Sequence, residues 1–426
     1  MAKLKELWSK LWFRAVSITL AVIIVIAAVF GITVGCLWGD VISSVSSIKH
    51  LQARNDANEE GSVYSMNVKG GFYLDKFVKN GGASTDSELI NFITSNITKG
   101  LMKVEIGESD VNCSAFTALT PENDVLFARN YDFAKTNVCI TICNSPGKGR
   151  YKSFSTVDMN YIGIDTESDL SGLMDKITCF AAPYTPLDGM NEMGLSCAIF
   201  MSYQGENYDL NESGTVATDQ NDPNKPDFTS TTMQRMILDY CATVDEAVEL
   251  ISSYNLHDSA KSSFHYMIAD ASGKSAILEW LPEENATDKS DNDGSARVLK
   301  VLYNTDDMYS GLRGGADFDY QWITNFVVND HKNYYESNDD KAGWDRYQYI
   351  YDNLNENNGV IEDEIAAMQI LKAVGRRTWN GGGGVTVHSV VYNLTDKTVR
   401  WVANENFDKP GATYTYSFKT GKLTAV

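Results

Sequence analysis

The chain contains two short runs of alternating, β-branched and aromatic residues that flank a polar turn: Asn112-Cys113-Ser114-Ala115-Phe116-Thr117-Ala118-Leu119 and Val125-Leu126-Phe127-Ala128-Arg129-Asn130-Tyr131-Asp132-Phe133. The Thr-Pro-Glu-Asn-Asp segment between them favours a turn, so the pattern predicts a β-hairpin. The second strand of a hairpin returns beside the start of the first. We therefore expect Arg129 and Asp132 to lie close to the sulfur of Cys113.

The residue types at these positions have a chemical use. A thiolate is the nucleophilic form of cysteine, and a neighbouring guanidinium favours that form. A carboxylate nearby can hold a proton-carrying partner in place. The spacing alone leaves a second interpretation open, in which Cys113 is a buried side chain beside an ordinary Arg–Asp pair on adjacent strands.

The two runs resemble the start of the choloylglycine hydrolase and penicillin V acylase family, whose wider relatives include acid ceramidase. These are N-terminal-nucleophile (Ntn) hydrolases, in which Cys, Arg and Asp recur at this spacing. Members begin with the Cys or expose it by cleaving the bond before it. The resemblance implies cleavage at Asn112–Cys113. The α-amine released there, with an ordinary pKa of about 7.7–8.0, can act as the base for its own thiol.

The resemblance implies two more catalytic residues. Asn304 ends a predicted strand, 298–303, and matches the Leu-x-Asn context of the family's catalytic Asn. Its side-chain amide would donate to the oxyanion, although the pattern by itself is typical of a turn former. Arg346 lies in Gly-Trp-Asp-Arg-Tyr, which resembles a helix start whose Arg supports the nucleophile. A surface arginine is the alternative.

Met201 is the position at which this chain departs from the family. The stretch Asn191-Glu192-Met193-Gly194-Leu195 resembles the family's Asn-Glu-x-Gly-Leu turn. Ten residues beyond that Asn, bile-salt hydrolases carry Asn and penicillin acylases carry Tyr as an oxyanion donor. Met201 matches neither, so a backbone N–H near it is the expected donor.

The order of the predicted elements indicates the fold class. Strand hairpins, then helices, then strand hairpins predict an α+β fold. The resemblance, which runs from about residue 113 to 405, implies an αββα four-layer sandwich with two antiparallel sheets. We expect residues 113–426 to form the catalytic domain and 71–112 a pro-segment, or else a subdomain that is never cut off. The polar segment 41–70 has little periodicity and is predicted to be a stalk.

Residues 1–40 are predicted to be a cytoplasmic tail followed by a transmembrane anchor. Residues 15–39 contain no charged side chain and exceed the roughly twenty residues that cross a bilayer. Positive charges precede the segment, which places the catalytic domain outside a single-pass cell-membrane anchor. A cleaved signal peptide, giving a secreted protein, and a lipoprotein signal ending at Cys36 are the alternatives.

Composition excludes several functions. The formal net charge of −20 leaves no basic stripe for nucleic acid. The chain has seven cysteines, and their odd number and scattered spacing predict neither a disulfide framework nor a zinc site. We expect no metal and no cofactor, and the sequence does not indicate an oligomeric state.

The predicted function is hydrolysis of a linear, non-peptide C–N amide bond in a small N-acyl substrate, such as a conjugated bile salt, penicillin V or an N-acyl amino acid. Two alternatives stay open. One is a papain-type thiol hydrolase, for which His388 on a closing strand is a candidate base, although no papain-like signature surrounds Cys113. The other is a non-catalytic, membrane-tethered binding protein on the same scaffold.

Overall fold

The computed structural model describes residues 38–97, 112–205, 215–283, 294–314, 316, 318–380 and 385–426, with a few isolated positions before residue 38. The strands are β1 (Lys49–Gln52), β2 (Val63–Val68), β3 (Asn112–Leu119), β4 (Val125–Phe133), β5 (Val138–Cys143), β6 (Ser153–Asp158), β7 (Asp188–Asn191), β8 (Ser196–Met201), β9 (Asp227–Thr229), β10 (Asn255–His257), β11 (Phe264–Ala269), β12 (Ser275–Pro282), β13 (Arg297–Tyr303), β14 (Trp322–Ile323), β15 (Val385–Asn393), β16 (Thr398–Ala403), β17 (Thr413–Ser417) and β18 (Lys422–Ala425). The α-helices are α1 (Leu74–Lys79), α2 (Asp86–Asn96), α3 (Leu173–Thr178), α4 (Ser230–Tyr240), α5 (Val244–Ser252), α6 (Asp307–Arg313), α7 (Trp344–Glu356), α8 (Glu364–Ala373) and α9 (Arg376–Asn380).

The strands form two large sheets. The first has nine strands in the order β1-β2-β5-β6-β7-β8-β11-β12-β13, and the second has seven in the order β14-β3-β4-β15-β16-β17-β18. Neighbouring strands are antiparallel except β2 and β5, which run parallel. A separate parallel pair joins β9 and β10. The predicted α+β class with antiparallel sheets is confirmed.

The two sheets face each other across one continuous apolar core, to which both contribute side chains. Polar side chains also connect them: the Trp401 indole N–H donates to Thr156 Oγ1 at 3.1 Å, and the Tyr131 hydroxyl to Asp158 at 2.9 Å. Helix α4 packs on β7 and β8 of the first sheet, and α8 packs on β4 and β15 of the second. The interior between the sheets is therefore enclosed, and a charged group within it needs a partner.

The segment before Cys113 is built into this fold. Strand β2 pairs with β5 over six residues and is almost entirely buried. The stalk interpretation is therefore corrected for residues 63–68. Their polar neighbours in the sequence mislead, because these residues become buried only by pairing with a strand that is distant in the chain. Within the predicted pro-segment, Thr85 caps α2 by accepting from the Glu88 backbone N–H at 3.1 Å. The Glu88 carboxylate accepts from the backbone N–H of Ser84 at 2.9 Å rather than from that of Thr85, so this N-terminus has one half of a capping box.

Two predictions for the N-terminal part lie outside the described residues: a strand that the sequence favours at 102–106, and nearly all of the predicted anchor at 15–39. Among the described residues, none of the helices combines the length and apolar character that crossing a bilayer requires.

Candidate active site

The predicted hairpin is present, and it brings Arg129 to Cys113. Strands β3 and β4 pair with Cys113 opposite Tyr131 and Ala115 opposite Arg129. Residues two apart on a strand share a face, so Cys113 and Arg129 both point into the space between the sheets. Arg129 Nη2 lies 3.5 Å from the Cys113 sulfur.

Burial dominates the electrostatics of the thiol. Cys113 is fully buried and carries a free thiol. Burial raises the pKa of the Cys113 thiol, and the Arg129 guanidinium offsets part of that rise. In the uncut chain, the arginine is thus the group that favours the thiolate, against the low polarity of the interior.

Arg129 is held by the opposite sheet. Its Nη1 donates to the Leu187 carbonyl at 2.8 Å and to the Asp188 carboxylate, and its Nη2 donates to the Ile199 carbonyl at 2.8 Å. Burial by itself lowers the pKa of the Arg129 guanidinium, but Asp188 beside it keeps that pKa above its ordinary value. The charge facing the sulfur is therefore permanent and fixed in place.

The backbone of Cys113 is bound on both sides by side chains distant in sequence. Its N–H donates to Asn325 Oδ1 at 2.8 Å, and its carbonyl accepts from Arg346 Nη1 at 3.0 Å. Arg346 Nη2 also donates to Asn325 Oδ1 at 3.0 Å. Asn325 Nδ2 in turn donates to the Met201 carbonyl at 3.1 Å. These bonds fix the peptide groups on either side of the Cys113 α-carbon.

Asp132 is joined to the site through Arg346. Arg346 Nη1 lies 3.1 Å from Asp132 Oδ2, and the Thr386 hydroxyl donates to Asp132 Oδ1 at 2.6 Å. Burial raises the pKa of the Asp132 carboxyl, although Arg346 and Thr386 act to lower it. The structure thus brings Cys113, Arg129, Asp132 and Arg346 together, and here Asp132 anchors the arginine that binds the Cys113 carbonyl.

The structure does not bring Asn304 into this cluster. Its amide donates to the carbonyls of Gly273 at 2.9 Å and Asp319 at 2.7 Å, and its Oδ1 accepts from the Ser275 N–H at 3.1 Å. Asn304 therefore stabilises the connections beyond β11 and β13, as its turn-former alternative predicts. Asn325, just after β14, is the carboxamide that contacts Cys113.

Met201 ends β8 with its side chain buried. Its contact with the site is the carbonyl that accepts from Asn325. The predicted use of a backbone N–H near Met201 as an oxyanion donor stays a prediction.

His388 does not form a cysteine–histidine pair with Cys113. In the sheet, Tyr131 stands opposite Cys113 on one side and opposite His388 on the other. His388 Nε2 is instead 2.7 Å from Asp188 Oδ2. Because Tyr131 lies between the two side chains, this geometry does not support the papain-type alternative.

The described part of the chain offers no metal centre. Within it, no group of three or more His, Cys, Asp or Glu side chains is arranged to hold a metal ion.

Residues 113–285 match the family model of linear amide C-N hydrolases, choloylglycine hydrolase family, and the match begins at Cys113 itself. The resemblance seen in the sequence is confirmed. So is the predicted enzyme class, a linear amide C-N hydrolase. No curated protein matches the chain significantly.

Three solved structures show the range of similar folds. A variant of the conjugated bile acid hydrolase from Clostridium perfringens is 16% identical, with a TM-score of 0.44, covering 74% of this chain and 96% of that one. Penicillin V acylase from Agrobacterium tumefaciens is 16% identical, with a TM-score of 0.39 and coverage of 73% and 90%. The N-acylethanolamine-hydrolyzing acid amidase ortholog of Caenorhabditis elegans is 15% identical, with a TM-score of 0.38 and coverage of 66% and 93%.

Sequence reasoning missed three side chains of the cluster: Asn325, Asp188 and Thr386. Asn325 follows Trp322-Ile323-Thr324 and lacks the Leu-x-Asn context that favoured Asn304. Asp188 lies three residues before the Asn191 that begins the recognised turn motif, and that position was the available signal. Thr386 lies on a closing strand with no motif around it.

Proposed function

We propose that this chain is a cysteine Ntn hydrolase with the αββα four-layer architecture, and that Cys113 is its nucleophile. The observation that carries the proposal is the environment of Cys113. Its thiol faces the Arg129 guanidinium at 3.5 Å, while Asn325 and Arg346 bind its backbone at 2.8 Å and 3.0 Å. A cysteine with only a structural role does not need hydrogen bonds from side chains to the peptide groups on both sides of it.

The first step we propose is self-cleavage at Asn112–Cys113. The Cys113 thiol gives up its proton and attacks the Asn112 carbonyl carbon, a C–S bond forms, and the C–N bond to Cys113 breaks as that proton passes to the nitrogen. Water then hydrolyses this thioester, which leaves a carboxylate on Asn112, a free thiol and a free α-amine on Cys113. Asn325 Oδ1, the acceptor of the Cys113 N–H, would then accept a hydrogen bond from that amine.

The same groups then serve the substrate reaction. The α-amine takes the thiol proton, the thiolate attacks the acyl carbonyl, and the proton passes to the leaving amine as the C–N bond breaks. Water releases the acyl group from the thioester. We assign Asn325 Nδ2, which also donates to the Met201 carbonyl, as the side-chain donor to the oxyanion, and Arg129 as the group that favours the thiolate. Asp132 and Arg346 keep the Cys113 backbone in register, and no cofactor takes part.

We propose a small N-acyl amide as the substrate class. The match to the linear amide C-N hydrolases supports the bond type. Conjugated bile salts, penicillin V, N-acyl amino acids and N-acylethanolamines are the compounds to test, because each offers a linear amide next to an apolar acyl group.

We also propose that residues 15–39 anchor the protein in the cell membrane with the catalytic domain outside. The support is the uncharged apolar stretch with basic residues before it. Membrane fractionation and protease accessibility of cells that express the full chain, compared with a chain lacking residues 1–40, test this placement. Release of the full chain into the medium would contradict it.

The decisive experiment for the nucleophile is intact-mass analysis with N-terminal sequencing of the purified protein. We expect a new terminus at Cys113 in the wild type and none in Cys113→Ala. Cys143→Ala is the matched control, because Cys143 is also buried and free but lies on β5; it should still be cleaved. An uncut wild type that hydrolyses none of the N-acyl amides would overturn the proposal.

A further inference from the structure

Asp188 is a buried carboxylate at the start of β7 that receives three hydrogen bonds. Arg129 Nη1 and His388 Nε2 both contact Oδ2, the latter at 2.7 Å, and the Tyr392 hydroxyl donates to Oδ1 at 2.5 Å. Burial opposes its ionisation, but His388 and Arg129 hold the pKa of Asp188 well below its usual range. Asp188 is therefore a charged carboxylate in the interior.

This carboxylate is one contact away from the nucleophile. Arg129 uses Nη1 for Asp188 and Nη2 for the sulfur of Cys113, so one guanidinium connects the two groups. His388 and Tyr392 lie four residues apart on β15 and approach Asp188 from the sheet that carries Cys113. The cluster therefore crosses the space between the sheets.

We infer that Asp188, supported by His388 and Tyr392, is a positioning residue that sets how much positive charge Arg129 presents to the Cys113 thiol. The inference rests on the proposed role of Cys113 as nucleophile. Asp188 touches neither the thiol nor a substrate, and it acts through the guanidinium.

Asp188 and Arg129 interact in a medium of low polarity. An isolated buried arginine is costly, and an Arg–Asp pair is close to neutral. Asp188 therefore offsets the cost of burying the charged Arg129 between the sheets. Its negative charge also weakens the attraction between Arg129 and the Cys113 thiolate. Opposite charges lower the pKa of an acid and like charges raise it, so removing the Asp188 charge should favour the thiolate.

Histidine and tyrosine tune the same carboxylate. Burial lowers the pKa of His388, and its Nε2 lies 2.7 Å from Asp188 Oδ2. A hydroxyl or N–H donor disperses carboxylate charge. Losing the Tyr392 hydroxyl should therefore strengthen the negative field at the sulfur, which is the opposite of losing the charge itself.

The side chains that titrate or carry charge around the cluster come from both sheets. They are Arg129, Tyr131 and Asp132 on β4, His388 and Tyr392 on β15, and Asp188 and Cys197 on β7 and β8.

The test is a titration of the Cys113 thiolate by its ultraviolet absorbance, taken as the difference between each protein and its Cys113→Ala counterpart. All chains are compared in the same processed state, as checked by intact mass. For Asp188→Asn we expect the titration midpoint to fall by about one pH unit. For Tyr392→Phe we expect it to rise by roughly 0.3 unit.

Asp239→Asn is the matched control, because it breaks a buried arginine pair of the same kind. Asp239 binds Arg235 and Arg150 and has no contact with the Cys113 cluster. Its midpoint should equal that of the wild type. Unshifted midpoints in both test variants, or shifts that Asp239→Asn also produces, would show that Asp188 is merely structural.

The Tyr392→Phe shift decides the question by itself if Asp188→Asn does not fold. If the proposed function is wrong, the chain neither cleaves itself nor hydrolyses amides, but the titration midpoints of the Cys113 thiolate can still be measured and compared between the variants. The two ideas can therefore fail separately.

Discussion

The backbone nitrogen of Cys113 donates to Oδ1 of Asn325, which lies 212 residues further along the chain, at a distance of 2.8 Å. This is the nitrogen of the bond whose cleavage we propose. Because Arg346 donates to the same Oδ1, the carboxamide cannot rotate without losing both bonds. The uncut chain thus already holds the nucleophile's backbone where a free α-amine would be needed.

Asn325→Ala should lower kcat for amide hydrolysis by about 10²–10³-fold, because loss of one oxyanion donor has that effect. Asn304→Ala is the matched control, since it removes a buried strand-end asparagine of the first sheet. We expect it to leave kcat nearly unchanged and to destabilise the fold by about 1–3 kcal/mol through its lost turn bonds. Steady-state kinetics and denaturant unfolding measure the two effects. A large loss of kcat in Asn304→Ala alone would restore it as the catalytic asparagine.

Arg346→Met should destabilise the protein by about 3–5 kcal/mol, because it leaves the Asp132 carboxyl buried without its ion-pair partner. The double variant Asp132→Asn with Arg346→Met should recover part of that loss. The control is Lys274→Met, which breaks an exposed pair with Asp245 and should change stability by no more than about 1 kcal/mol. Denaturant unfolding in a Cys113→Ala background, which removes self-cleavage, gives all three values. An Arg346→Met chain as stable as its parent would contradict the ion-pair assignment.

The parts of the site that lie on one hairpin were predictable from the sequence, whereas the parts contributed by distant elements were not. Cys113 and Arg129 lie on strands joined by a tight turn, and the residues of that turn are recognisable in the sequence. The pairing register of the two strands could therefore be predicted from the alternating residue pattern. Asn325 reaches Cys113 only because β14 pairs with β3. The local Leu-x-Asn context favoured Asn304 instead, which follows a strand of the other sheet.

Strand β2, in the N-terminal part of the fold, was not predicted for a related reason. Residues 63–68 are a short strand between polar segments, and their neighbour in the sheet is β5, which begins only at Val138. A parallel pair needs a long connection, so nothing within a short window indicates it. The helix at Leu74–Lys79 and the Thr85 cap, in contrast, depend on residues adjacent in the chain.

The Asp158 carboxyl should make stability fall as the pH rises from about 4 to about 6. Burial raises its pKa to about 6, so in this window the folded chain keeps a proton that the unfolded chain has lost. The stabilisation that comes from protonated Asp158 is fully present below the ordinary pKa of an aspartate. It is lost once the pH has risen through the pKa that Asp158 has in the folded chain. Asp158→Asn should reduce the fall in unfolding free energy across this window by about 3 kcal/mol.

Denaturant unfolding at a series of pH values measures this difference. Asp222→Asn serves as the comparison, because the Asn224 backbone N–H holds the pKa of the exposed Asp222 carboxyl below its usual range. Its titration lies at lower pH, so this variant should show the wild-type fall. Identical pH profiles for Asp158→Asn and the wild type would rule out a raised pKa at Asp158.

The N-terminal fragment should stay bound after the chain is cut before Cys113. Strand β2 is hydrogen-bonded to β5 within the nine-stranded sheet. Asn404 Nδ2 donates to the Gly61 carbonyl at 3.0 Å, and the Tyr184 hydroxyl to that of Phe72 at 2.7 Å. The fragment also buries a set of apolar side chains, each worth about 1.5–3 kcal/mol: Tyr64, Met66, Val68, Leu74, Phe77, Leu89 and Ile93.

A specific protease site inserted between Ile97 and Asn112 in a Cys113→Ala chain makes the cut without relying on self-cleavage. We expect the two fragments to elute together from a sizing column in native buffer and to separate only in denaturant. Met66→Lys, which places a charge at a fully buried position of β2, should weaken the association, whereas Lys69→Met beyond the end of the strand should not. Fragments that separate in native buffer without any substitution would show that residues before Cys113 are a removable pro-segment, despite the strand they add to the sheet.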